Sequence, residues 1–160
     1  MGIRVIGVGA YVPERVVTNH DLARRVDTSH EWIVSKTGIR ERRIAALDEA
    51  PSDMGAHAAL QSLGHAGVDP RDVDLIVTAC ATPDQSQPAV ATMIQEKLGI
   101  GSTGCPAFDV NSVCSGFVFA LSAAQGMMLA DPERYRNVLV IGTDAFSRIL
   151  NWDDRRTCIF

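Results

Sequence analysis

Short apolar runs alternate with longer segments of helical periodicity along most of the chain. Ile3 to Val8, Asp74 to Ala81, Ala107 to Val110 and Tyr135 to Gly142 hold four to eight residues each, dominated by Val, Ile, Leu and Ala, and read as buried strands. Thr157 to Phe160 reads as the start of a fifth. Helices are predicted between them: His20 to Arg25 behind an Asn19 cap, one opening at Thr28 and Ser29, and one capped by Ser52 or Asp53 that reaches about His65 and closes at Gly67. A further helix opens at Gln87 and Pro88 and runs through Leu98, and the last runs from Cys114 to Ala130. Thr37 to Ile44 leads through a glycine turn into a basic strand or loop. Strands separated by helices predict parallel βαβ units in one compact α/β domain over residues 1–160.

Two features sit badly with a self-contained domain. The helix from Cys114 to Ala130 is apolar nearly all the way round, through Phe117, Val118, Phe119, Leu121, Met127, Met128 and Leu129, which suits a helix covered on every side. The chain also stops at Phe160 within an apolar run. Both lead to the expectation of one half of a longer polypeptide, and of an isolated chain that dissolves poorly or associates.

That helix also carries the candidate chemistry. Phe108 to Val113 is a strand-like segment turning directly into a helix whose first residue is the thiol of Cys114. Unpaired N–H groups and the positive end of the helix dipole favour a thiolate there and can hold an oxyanion, the two requirements of acyl transfer through sulfur. On the residues alone, Cys114 reads equally as a nucleophile or as a buried thiol.

Composition narrows the classes. A 160-residue chain with 46% hydrophobic and 21% charged residues is globular, and a net charge of −4 argues against general nucleic-acid binding or binding to anionic membranes. A local basic cluster at Arg40, Arg42 and Arg43 reads either as a ligand contact or as a solvated face paired with Glu41 or Asp48. With no signal core at the N-terminus and no apolar run judged of transmembrane length, the expectation is a soluble cytoplasmic protein. The four cysteines form no CxxC pair and lie near no suitable histidine, so no metal site is expected. Cys80 and Cys158 read as buried; Cys105, in a Gly-Pro loop, reads as accessible but without an activator.

The chain resembles β-ketoacyl-acyl carrier protein synthase III, a condensing-enzyme family of the thiolase superfamily. The residues that carry the resemblance are IGVGAYVP at 6–13, DTSHEWIVSKTGIRERRI at 27–44, the cysteine segment from Phe108, and DDRRT at 153–157. It implies a thiolase-like α/β fold, layered α-β-α-β-α when complete, of which this chain is one βαβαβαββ half with a mostly parallel five-stranded sheet. It implies that Cys114 takes an acyl group from acyl-coenzyme A, acetyl-coenzyme A as the expected donor. Malonyl-acyl carrier protein then decarboxylates to a carbanion that attacks the thioester, the first step of fatty acid synthesis. Trp32 and Arg155 would flank the adenine of coenzyme A, and Thr28 and Lys36 would meet the nucleotide and its phosphates, Lys36 standing where arginine is common. Gln87 would stand where similar enzymes often carry a bulky apolar residue that reaches across a homodimer interface and closes the partner's acyl pocket, which suggests a roomier or more polar acyl end, leaves the acyl group open and admits a synthase of secondary metabolism. No cofactor beyond the acyl-coenzyme A substrate is implied. The family's catalytic His and Asn are expected in a C-terminal half; His20, His30, His57 and His65 have no pairing that recommends them as replacements. A non-catalytic half serving as a coenzyme A-binding or dimerisation module, and a 3-hydroxy-3-methylglutaryl-coenzyme A synthase or quinolone-type synthase, are the other readings.

Overall fold

The computed structural model describes residues 2–160. In chain order the elements are β1 (Arg15–Thr18), α1 (Asn19–Ala23), α2 (His30–Thr37), β2 (Glu41–Ile44), α3 (Pro51–Ala66), β3 (Leu75–Ala79), α4 (Val90–Lys97), β4 (Ala107–Val110), α5 (Gly116–Ala130) and β5 (Val138–Gly142). Contacts divide the chain into two compact units, one made of the segment up to Tyr11 with Glu49–Asp144, the other of Val12–Asp48 with Ala145–Phe160.

The first unit is built on a three-stranded parallel sheet in the order β4-β3-β5. Every residue of β3 is buried, as expected of a central strand in a parallel sheet with helices on both faces. The alternation of its side chains divides the core. Ile76 and Cys80 face α3 and α4 through Ala59, Leu63, Val90 and Ile94, whereas Leu75, Val77 and Ala79 meet Ala120 and Ala124 of α5. Gly116 lets α5 close on the sheet, since a Cβ there would stand 3.3 Å from that of Ala79. Helix α3 starts with Pro51 at its first position and ends at Gly67, in the left-handed region at φ 67°.

The second unit has no large sheet. β1 and β2 pair antiparallel from Arg15 with Ile44 to Thr18 with Glu41. Thr18 and Asp21 form a reciprocal capping box at the start of α1, and Ser29 caps α2 by accepting from the Trp32 N–H at 3.1 Å. A small core of Leu22, Ile33 and Cys158 lies beneath Trp32 and Trp152.

The α/β class and the strands at 75–79, 107–110 and 138–142 are as predicted; the five-stranded sheet is not. Ile3 to Val8 forms no strand: the segment lies along α3, where the Ala10 N–H donates to Gln61 Oε1 at 2.6 Å, and Val5 is 76% exposed. Gly7 and Gly9 permit this approach, because a Cβ at either would collide with the carbonyls of Ser62 and Ala58 in α3. Between this segment, α3, α5 and β5 lies a cavity of about 730 Å³. Thr157 to Phe160 is likewise no strand. Arg155–Ile159 forms a 3-10 turn whose Asp154 cap accepts from the Arg156 N–H, and Arg42 binds the carbonyls of Cys158 and Phe160 that a ladder would have used.

Helix starts also shift. α1 is capped by Thr18 rather than Asn19, α4 opens at Val90 rather than at Pro88, and α5 opens at Gly116, two residues after Cys114. The expectation about apolar runs is corrected as well. Val113–Ala130, 18 residues, is long and apolar enough to cross a membrane by length and composition. Its buried side is the small-residue stripe of Gly116, Ala120 and Ala124, while Val118 is 63% and Phe119 54% exposed.

Candidate active site

Cys114 lies beyond the carboxyl end of β4, in a 3-10 turn over Val113–Ser115 that leads into α5. The turn is tight: the Ser115 N–H donates to the Ser112 carbonyl at 3.0 Å, and Val113 adopts φ 46°. For a β-branched residue that is a strained conformation, of the kind that persists where the surroundings fix it and that concentrates at functional positions. Its consequence is local. The turn carries the Cys114 thiol to the surface, while Gly116 immediately after it is buried. Ser115, at the helix cap, makes no side-chain cap hydrogen bond, so that side chain does not occupy the first-turn amides of α5.

The other three cysteines are buried. Burial pushes the Cys80 thiol up to about 12 and also raises that of Cys105. The expectation of an accessible Cys105 is therefore corrected: its loop folds under α4, where Gln95 donates to its carbonyl at 2.5 Å. Cys158 points its thiol at the Thr28 hydroxyl, 3.6 Å away. Of the four cysteines, Cys114 is thus the exposed one.

In the other unit, Trp32 and Arg155 come together. The Arg155 guanidinium carbon lies 4.7 Å from the centre of the Trp32 ring, and its Nε donates to the Asp27 carbonyl at 2.6 Å. Trp32 is half-buried on α2, and Lys36 follows one turn later on the same helix, exposed. Thr28 stands beside the cap of α2, half-buried. Gln87 is exposed in the loop between β3 and α4.

In the basic cluster Arg42 and Arg43 make internal contacts, while Arg40 is exposed. Arg42 donates to Asn19 Oδ1 at 2.7 Å as well as to the two carbonyls of the C-terminal turn, and burial lowers its pKa. Arg43 reaches the Pro13 carbonyl at 3.0 Å and Glu41 at 3.9 Å. The histidines are engaged elsewhere: His20 stacks on His30 at 4.9 Å, His57 on Tyr11 at 4.8 Å, and His65 Nδ1 meets the backbone of Val8. No group of three or more metal-ligating side chains occurs among the described residues.

Sequence reasoning missed three carboxylates around the loop after β3. Asp109, at the end of β4, accepts from the Val90 and Ala91 amides; Asp144, after β5, accepts from those of Ala81 and Thr82; and Asp84 binds Ser52. The visible signal was an acidic residue inside the otherwise apolar run 107–110.

Solved structures show that this fold is thiolase-like. The 3-oxoacyl-[acyl-carrier-protein] synthase III of Aquifex aeolicus VF5 superimposes with a TM-score of 0.92 at 42% identity, over 99% of this chain and 50% of that one. The priming β-ketosynthase of the R1128 polyketide biosynthetic pathway superimposes with a TM-score of 0.85 at 38% identity, over 95% and 44%. The sequence model of 3-oxoacyl-[acyl-carrier-protein (ACP)] synthase III matches residues 108–160, which include Cys114 and Arg155. The β-ketoacyl-[acyl-carrier-protein] synthase III of Neisseria meningitidis is 49% identical over 156 residues, 98% of this chain and 48% of the relative. Over nearly its whole length the chain resembles the N-terminal half of β-ketoacyl-acyl carrier protein synthase III. It spans about half the length of the curated relatives it matches.

Proposed function

We propose that this chain supplies the nucleophile and the coenzyme A-binding residues of a decarboxylating condensing enzyme, with Cys114 as the acyl acceptor. The single observation that supports this most is the exposed Cys114 on its strained turn, beside three buried cysteines. In the first half-reaction the thiolate attacks the carbonyl carbon of acyl-coenzyme A, the carbon–sulfur bond to coenzyme A breaks, and the coenzyme A thiolate leaves and takes up a proton. Sulfur suits both directions, being a strong nucleophile and a good leaving group. In the second, malonyl-acyl carrier protein loses carbon dioxide, the carbanion attacks the thioester carbonyl, and the Cys114 thiolate is released with the 3-oxoacyl product. Decarboxylation draws on the family's His and Asn, and the residues described above serve the first half-reaction.

Trp32 and Arg155 take the adenine of coenzyme A. A base lying between them needs about two van der Waals separations, roughly 7 Å in all. The present 4.7 Å is a closed clamp, and Arg155, exposed and held by one bond to the Asp27 carbonyl, is the side free to swing. Lys36 and Thr28 lie near on α2 and its cap, for the phosphates and the nucleotide. The complete enzyme works as a cytoplasmic homodimer and needs no cofactor beyond its acyl-coenzyme A substrate.

A second reading concerns the acyl group. The exposed amide of Gln87 and the similarity to a priming β-ketosynthase favour a starter other than acetyl, as in a synthase of secondary metabolism. Intact-mass measurement after incubation with acetyl-coenzyme A and a series of longer acyl-coenzyme A donors tests both readings. An adduct of acyl mass that is lost in Cys114→Ser supports the acceptor role, and the best donor names the starter. No adduct with any donor, in folded protein, leaves a non-catalytic coenzyme A-binding or dimerisation module.

A further inference from the structure

The loop between β3 and α4, which carries Gln87, is held by carboxylates from both strands that flank β3. On one side Asp109 of β4, five residues before Cys114 in the sequence, accepts from the Val90 N–H at 2.7 Å through Oδ2 and from the Ala91 N–H at 2.8 Å through Oδ1. These are the first two residues of α4, both fully buried, and the local cap residue Ala89 contributes no side-chain bond. The cap of this helix is therefore delivered from another strand. On the other side Asp144, just past β5, takes through Oδ1 the amides of Ala81 and Thr82 at 2.8 and 2.9 Å and the Thr82 hydroxyl at 2.9 Å. Within the loop, Asp84 receives the Ser52 amide at 3.0 Å and its hydroxyl at 2.6 Å, which ties the loop to α3. Gln85 to Pro88, between Asp84 and the start of α4, are exposed.

We propose that Asp109 and Asp144 are positioning residues that set the acyl selectivity of Cys114 by holding the two ends of the loop that presents Gln87. This rests on the acyl-acceptor reading of Cys114 and on the reading of Gln87 as an acyl-pocket residue. Both oxygens of Asp109 are committed to α4, so its part is mechanical: the strand that leads into the thiol turn also fixes where the loop ends. Asp109→Asn keeps the shape but sets an NH2 group against one of two buried backbone N–H groups, whereas Asp144 accepts its three loop bonds through Oδ1 and loses them only on truncation to Ala; either change loosens one end of the loop.

The test measures the rate of Cys114 acylation by acetyl- and by octanoyl-coenzyme A in the 160-residue chain, in Asp109→Asn, in Asp144→Ala, and in each combined with Gln87→Ala. The expected result is a change of about fivefold or more in the acetyl-to-octanoyl ratio for each single variant, the scale of one lost hydrogen bond being the lower bound. That change should be less than additive with Gln87→Ala, because both act through one loop. Iodoacetamide alkylation of Cys114, which has no acyl chain to discriminate, stays unchanged. An unaltered ratio in folded Asp109→Asn and Asp144→Ala, or full additivity with Gln87→Ala, overturns the proposal while leaving Cys114 as acceptor. If Asp109→Asn does not fold, Asp144→Ala, at the less buried end of the loop, decides the question by the same ratio. Wild-type protein that accepts neither acyl group overturns the acceptor reading, and this proposal with it, by a result distinct from the others.

Discussion

The two units hold their candidate residues by different means. In the sheet unit the position of Cys114 follows from backbone: a buried parallel strand, a turn strained at Val113, and a helix pressed on the sheet at Gly116. In the other unit a short hairpin and two short helices rest on a three-residue core, and side chains make up the deficit, above all Arg42 with its bonds to Asn19, Cys158 and Phe160. The lesson is a division of labour. On the proposed function, bond-making chemistry, which depends on fractions of an ångström, would stand on the rigid sheet, and recognition of a flat base would be left to side chains that can open.

That contrast predicts a graded set of responses to substitution. The largest is expected in the sheet core. Ile94, fully buried against β3, should cost about 2–5 kcal/mol on conversion to Ala, with loss of the cooperative urea transition as the readout. Next, Arg42→Ala removes the charged donor from three acceptors and should destabilise the hairpin unit by about 1.5–3 kcal/mol. Trp32 and Trp152, both in that unit, make the loss visible as a fluorescence transition at lower urea. If the two units respond equally to both substitutions, the contrast between them fails.

A smaller effect is expected at the clamp. Arg155→Ala gives up a stacked cation at an exposed position, about 0.5–1 kcal/mol, so coenzyme A should bind about two- to fivefold more weakly by calorimetry with stability unchanged. An unchanged affinity would remove Arg155 from the binding site.

The smallest effects come from surface caps and appear only in acid. The Arg71 side chain, and then its amide, hold the Asp69 carboxyl down to about 2. The Thr18 side chain and amide lower Asp21, and Arg156 lowers Asp154. Each folded-state pKa lies below that of the unfolded chain, so the unfolded chain binds more protons in this window. The stabilisation is therefore complete above the ordinary carboxylate range near 4 and is lost as pH falls through the folded values, towards about 2 for Asp69. The melting temperature should fall gradually over that window, and Asp69→Asn should flatten the fall.

What the sequence disclosed divides along the same lines. The βαβ alternation and the apolar runs located the three parallel strands and the long helix, because buried strands and apolar helices leave period and composition behind. The thiol turn was legible as Cys114 between an apolar strand and an apolar helix. Trp32 and Arg155 lie far apart in the chain, and only the family resemblance joined them. The two strand expectations that failed, at Ile3 to Val8 and at Thr157 to Phe160, were judged on apolar content, which does not say whether a partner edge is available; glycines 7 and 9 and the Asp154 cap decided otherwise. The carboxylates Asp109 and Asp144 could not be assigned from pattern, since their partners lie 18 to 63 residues away.

The central claim is that one thiol among four accepts the acyl group. Peptide-level mass mapping after incubation with acetyl-coenzyme A, with and without hydroxylamine, tests it most directly. The account predicts a hydroxylamine-labile acetyl group on the peptide containing Cys114 and none on those containing Cys80, Cys105 or Cys158, all buried. A labile acetyl group on one of those three, with Cys114 unmodified in folded protein, would contradict it.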